Sequence, residues 1–132
     1  LRTADVVRWT LSREMVTEDL TLQQYNVLRI LRGAGAEGLP TLEIGERMVE
    51  RQPGVTRLVD RLVKKGLVGR RRGSRDRRVV RCTITPAGLD TLTRLDDVVE
   101  KADRRVVDAV GDADLGRLVE ILDALRAGLR EP

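Results

Sequence analysis

Apolar positions recur at helical spacing along most of this chain, and the period changes once, near its middle. Over 4–18, Ala4, Val7, Leu11 and Met15 (or Glu14) fall near one helical stripe, with Trp9 to one side. A second helix is announced by Thr21, a good N-cap, with Gln24 three residues on to complete a capping box. Leu20 and Tyr25 are spaced as a hydrophobic staple around that cap. This helix turns Leu22, Tyr25, Leu28 and Leu31 inward and ends in the glycine-rich run 33–38. Thr41, after Pro40, is placed to cap a short helix through Met48.

The most regular pattern covers 53–65. Val55, Leu58, Val59, Leu62 and Val63 repeat at i, i+3, i+4, i+7 and i+8 and define one apolar face. Thr56, Arg57, Asp60, Arg61, Lys64 and Lys65 fill the opposite face. Pro53 suits the first helical position and Gly66 the residue just past the end. The period then changes. Two short β-branched-rich runs, 67–71 and 79–84, flank an arginine-loaded tip and predict a β-hairpin. Thr85 and Pro86 restart a helix as N-cap and first residue, with Ile84 and Leu89 spaced as a second staple. Leu92, Leu95, Val99, Ala102 and Val106 follow at spacings close to a coiled-coil seam. After Gly111, Asp112 is placed to cap a last helix carrying Leu115, Leu118, Val119, Leu122, Leu125 and Leu129.

Composition adds bounds. A chain of 132 residues, 41% hydrophobic and 35% charged, is expected to form one soluble domain. No apolar run approaches the roughly 20 residues that span a bilayer, and the first residues carry no secretory signal pattern. The lone Cys82 excludes a disulfide within the chain and fits a reducing compartment, so a cytoplasmic location is expected. The chain has no histidine, which leaves acid–base chemistry to carboxylates and lysines. It also lacks a P-loop, a dinucleotide fingerprint and metal-ligand spacing. We therefore expect no enzyme, no cofactor and no metal.

Charge points elsewhere. Within 51–81, twelve basic residues stand against only Asp60 and Asp76, whereas the whole chain carries a net charge of +4. A basic middle between acidic ends is the footprint of a polyanion-binding surface. The element order gives that surface a shape: two short helices, a basic helix, a basic hairpin, then a long helix. That order is the winged helix-turn-helix arrangement. The basic helix of about 13 residues is roughly 20 Å long and fits a major groove about 12 Å wide. Its head, from Arg51 to Arg57 with Gln52 and Thr56, is expected near base edges, with phosphate contact the alternative for Arg57 and Arg61. The hairpin, with Arg72, Arg75, Arg77 and Arg78, is expected to reach an adjacent minor groove.

At these residues the chain resembles the MarR family of regulators. The segment 55–68, reading VTRLVDRLVKKGLV, is similar to that family's recognition helix and first wing strand. Asp76-Arg77-Arg78 is similar to its wing signature, and the segment 83–88, TITPAG, to its strand-to-helix exit. The resemblance runs from about Leu20 to Gly88, with the flanking helices fitting by pattern alone. It implies a mainly α fold with a small β-hairpin wing, in a single domain over 1–132. Residues 20–88 would form the winged core, and helices over 1–18 and 89–130 the interface of a homodimer. It implies a sequence-specific transcriptional regulator of double-stranded DNA, a repressor acting on a pseudo-palindromic operator. Asp76 would orient wing arginines by a charge-assisted bond, and Arg78 would enter the minor groove. Release by a small aromatic or phenolic anion is also implied, and Trp9 and Tyr25, the aromatic residues of the chain, are candidates for its pocket.

Two alternatives stay open at this level: a winged-helix protein-interaction module, and a cysteine-based redox sensor using Cys82. Two departures from the family pattern stand out. Gln52-Pro53-Gly54 replaces the small hydroxylated residues usual before Val-Thr-Arg, and Gly45 stands where a small helix former is expected. Close packing of neighbouring helices would account for Gly45.

Overall fold

A computed structural model of the chain describes residues 2–14, 19–48, 54–73 and 76–128. Helix α1, Arg2–Glu14, packs on the long helix near the C-terminus and leaves Val6 and Trp9 exposed. Helix α2, Leu22–Ala34, starts as its sequence prescribes. The Thr21 hydroxyl accepts from the Gln24 backbone N–H at 3.2 Å, and Gln24 Oε1 accepts from the Thr21 N–H at 3.0 Å. Leu20 and Tyr25 are both buried, as the staple requires. Val27, Leu28 and Leu31 are fully buried, while Leu22 is only partly so.

A single 3-10 turn, Gly35–Glu37, leads into a two-residue strand β1, Leu39–Pro40. Helix α3, Thr41–Arg47, follows directly, and here the expected cap is displaced. Extended Pro40 occupies the cap position with no side-chain bond, and Thr41 lies inside the helix with its hydroxyl 3.7 Å from Cys82 Sγ. The helix stops at Arg47 because Met48 turns extended, with φ −68° and ψ 138°.

Helix α4, Val55–Lys64, is preceded by Gly54 at φ +107°. The expected start at Pro53 lies outside the described residues. Its end matches expectation in detail. Gly66 is left-handed at φ +72° and donates to Val63 O at 2.9 Å, and the Leu67 N–H donates to Leu62 O at 3.0 Å. These paired bonds are a Schellman motif, which satisfies the last carbonyls of the helix.

Strands β2, Val68–Arg72, and β3, Val80–Ile84, form the expected hairpin, paired antiparallel from Val68 opposite Ile84 to Arg72 opposite Val80. Strand β1 adds to the other side of β3, with Leu39 opposite Cys82, so β3 is central. Helix α5, Pro86–Val110, has Thr85 as cap, its hydroxyl accepting from the Gly88 N–H at 3.1 Å. Ile84 packs on the core, while Leu89 is 41% exposed. Helix α6, Asp112–Gly128, begins from Gly111, whose carbonyl accepts from the Asp114 and Leu115 N–H groups. Asp112 therefore sits in the first turn rather than at the cap, where its charge still complements the helix dipole.

One apolar core joins α2, α3, α4, the sheet and the first half of α5. The seam on α5 is spent largely on it. Leu92 and Leu95 are completely buried within this chain, Ala102 is 3% exposed, and Val99 packs against the same cluster. An ion pair between Arg32 and Asp96, 2.6 Å apart, fastens α2 to α5 and holds the guanidinium above its ordinary pKa. Helix α6 differs. None of its described residues is buried, and Val119, Ile121, Leu122 and Leu125 are 45–55% exposed.

Candidate nucleic-acid interface

The apolar stripe of α4 decides which of its side chains remain free. Val59 and Leu62 are fully buried, with Val55, Leu58 and Val63 packed beside them. Thr56, Arg57, Arg61 and Lys64 are thereby left on the exposed side. Gly45 lets α3 approach closely, because a Cβ there would stand 3.2 Å from Val55 Cγ2. The departure at Gly45 is a packing contact against the head of α4.

The basic residues divide into two groups. Arg70, at the root of the hairpin, is bonded to Asp60 on α4, and that bond holds its guanidinium above the ordinary value. Arg71 donates to Ala36 O and lies 4.0 Å from the Glu37 carboxylate. Arg81 donates from Nε to Glu37 O at 2.8 Å and from its terminal nitrogen to Gly38 O at 2.9 Å. Lys65 donates to the Asp19 carbonyl and, at 2.8 Å, to its carboxylate, which holds that carboxyl below its ordinary pKa. These four cations brace the fold. By contrast, the side chains of Arg57, Arg61, Lys64, Arg72, Arg77 and Arg78 make no hydrogen bond or ion pair among the described residues and are exposed. They run along α4 and the hairpin. Arg51, Gln52 and Arg75 lie outside the described residues.

The hairpin tip is shaped by main-chain bonds. Asp76 Oδ1 accepts from the Arg78 N–H at 2.9 Å, Asp76 O accepts from the Val79 N–H at 3.2 Å, and the Gly73 N–H donates to Val79 O at 2.8 Å. Among the described residues the Asp76 carboxylate engages the Arg78 backbone. It directs Arg78 by fixing the turn that carries it. The two candidate pocket aromatics occupy different settings. Trp9 is 60% exposed with the Arg13 guanidinium 4.9 Å above its ring. Tyr25 is buried in the core, which pushes its phenol pKa up. Cys82 is completely buried on β3, with the Thr41 hydroxyl 3.7 Å from its Sγ. Among the described residues no cluster of acidic or cysteine side chains is arranged to hold a metal, and no helix is long and apolar enough to cross a membrane.

A basic helix packed on a shorter one, beside a hairpin whose exposed arginines are unpartnered among the described residues, is the geometry of a major-groove reader with a wing. Comparison with known proteins agrees. Residues 20–80 match the MarR family profile. The crystal structure of a MarR transcription factor from Planctomyces limnophilus is 36% identical, with a TM-score of 0.71 over 93% of this chain and 89% of that one. The S. aureus MepR–DNA complex shares the fold at 17% identity, with a TM-score of 0.86 over 97% of this chain and 93% of that one. CouR from Rhodococcus jostii, solved with p-coumaroyl-CoA, shares it at 24% identity, with a TM-score of 0.79 over 94% and 86%. The chain belongs to the MarR family of transcriptional regulators and has that family's winged-helix DNA-binding fold.

Proposed function

We propose that this regulator is a homodimeric, ligand-responsive repressor that reads a pseudo-palindromic operator in the cytoplasm. The observation that carries the DNA reading is the row of six exposed cations along α4 and the wing, unpartnered among the described residues. A charged surface serving only solubility would interleave more acids, yet the stretch 51–81 holds only Asp60, which Arg70 engages, and Asp76, which accepts from the Arg78 N–H. In this reading Thr56 and Arg57, with Arg51 and Gln52, meet base edges at the head of the recognition helix, and Arg61 holds phosphate. Arg72, Arg75, Arg77 and Arg78 approach the minor groove, whose potential favours arginine. Residues 20–88 act as the reading core, and the helices over 1–18 and 89–130 join two copies.

The exposed apolar side chains of α6 support the dimer, since a second copy would remove them from water. Replacing both Ile121 and Leu125 with glutamate is expected to give monomers in analytical ultracentrifugation. A dimer of unchanged affinity would move the interface off α6. A small aromatic anion is the effector class we propose, as CouR holds an aromatic acyl thioester. Trp9 is the accessible aromatic for it, because reaching Tyr25 means displacing core side chains.

The direct test is fluorescence-anisotropy binding to DNA upstream of the protein's own gene, against scrambled DNA, across a salt series. Specific binding that weakens by about 0.9 log units per decade of salt for each phosphate neutralised is expected. Weak binding indifferent to salt would favour a protein-interaction module. The Asp60–Arg70 pair gives a second check. Both side chains are partly exposed, so Asp60→Asn should cost under about 1 kcal/mol of stability. It should nonetheless lower operator affinity by freeing the wing root from the recognition helix. Wild-type affinity in that variant would reduce the pair to a surface contact.

A further inference from the structure

Arg71 and Arg81 stand directly opposite each other on β2 and β3. Opposed cations repel, and a β-branched pair would hold the ladder without that cost. Their side chains are spent elsewhere. Successive residues of a strand face opposite ways, so this pair lies on the face turned away from buried Val68 and Cys82. There both guanidiniums grip one turn. Arg71 donates to Ala36 O, with the Glu37 carboxylate 4.0 Å away. Arg81 donates to Glu37 O and to Gly38 O. The carbonyls of 36–38 follow the end of α2 and its 3-10 turn, the negative end of a helical run, which suits cations. On the core face, Arg70 is tied to α4 through Asp60. The hairpin is therefore moored on both faces.

The outer mooring matters most at the tip. Arg81 runs beneath it, since a Cβ on Gly73 would stand 3.6 Å from Arg81 Cδ. Arg78 is three residues from Arg81, roughly 10 Å along an extended strand. A rock of about 20°, within the spread of strand twist, moves a tip at that radius by about 3.5 Å. That is over half the width of a minor groove, about 6 Å. Resting on the DNA-binding reading above, we infer that Arg71 and Arg81 are positioning residues for the wing. Their grip on the turn at 36–38 sets the height and angle at which the tip meets the minor groove. Neither guanidinium has to touch DNA, because the clip acts through Arg78.

The test is a double-mutant cycle on operator DNA, run on the full chain below the melting temperature of every variant. It combines Arg78→Ala with Arg81→Met, which keeps an apolar stem and loses the donors. In the wild type, Arg78→Ala is expected to weaken binding roughly 5- to 150-fold. In Arg81→Met the tip is already off its groove, so the same substitution is expected to cost less than about twofold. Hydroxyl-radical footprinting should show the wing's minor-groove protection lost or displaced in Arg81→Met, with the recognition-helix site still covered. A brace that only stabilises the fold gives independent losses. Fold-changes for Arg78→Ala that agree within about twofold in both backgrounds, or an unmoved wing footprint, overturn the positioning role. Arg71→Met carries the same cycle should Arg81→Met fail to fold, since Ala36 and the Glu37 carboxylate are exposed. A wild type that binds no operator, or that ignores Arg78→Ala, sinks the DNA reading or its wing. A wild type that needs Arg78, with additive variants, sinks this inference alone.

Discussion

Gly38→Ala should lower the melting temperature by on the order of 10 °C. Gly38 has φ +61° and ψ −169°, a region essentially reserved for glycine, where an L-residue with a side chain costs about 1–3 kcal/mol. A Cβ there would also stand 2.2 Å from the carbonyl oxygen of Cys82 and 2.9 Å from its carbon. Those are backbone atoms of the central strand, paired to β1 at Leu39 and to β2 at Arg70, so they cannot withdraw without opening the sheet. Overpacking of this kind adds about 1–3 kcal/mol. Gly33→Ala is the control. It has open space around it in a helix, and alanine there should leave stability unchanged or raise it slightly. A wild-type melting temperature for Gly38→Ala in thermal denaturation would mean that the turn before β1 is not seated against β3 as described.

Arg57→Ala and Arg78→Ala should each weaken operator binding by about 1–3 kcal/mol, roughly 5- to 150-fold. Both side chains are exposed and bonded to nothing among the described residues, so helix content and assembly should not change. Arg81→Ala should behave in the opposite sense. It removes donors from Glu37 O and Gly38 O, so its first effect is on melting, with DNA affinity following from the loosened turn. The contrast between arginines of one basic stretch is the sharp part of the prediction. Wild-type affinity in both Arg57→Ala and Arg78→Ala would remove the recognition-helix and wing assignments together.

Features set by neighbours in sequence were legible without coordinates. The capping box at Thr21 and Gln24, the Thr85–Pro86 restart and the Gly66 terminator each depend on a few adjacent residues, and all three form. Features set across the fold were not. Strand β1 is two residues long, too short for any period, and exists only because β3 offers an edge. Thr41 reads as a cap, yet Pro40 takes that place and leaves the Thr41 hydroxyl beside Cys82. The periodicity of α5 announces a buried stripe without saying what covers Leu92 and Leu95, which proves to be this chain's own core. Charge counting finds the basic stretch but does not separate Arg70, Arg71 and Arg81, engaged with Asp60 and the carbonyls of 36–38, from the arginines left free. That distinction depends on contacts 10 to 44 residues apart in sequence.

The single thiol offers a use that its burial creates. Cys82 is the one cysteine of the chain and is fully enclosed on the central strand, with β1 and β2 on either side. A thiol reagent reaches it only when the sheet opens. Where closing outruns the reagent, the labelling rate measures the population of the open form and hence its free energy. Anything that binds only the closed form slows labelling by the factor 1 + [L]/Kd. The unmodified protein thus contains its own clock, one that reports from inside the core how firmly DNA grips the surface.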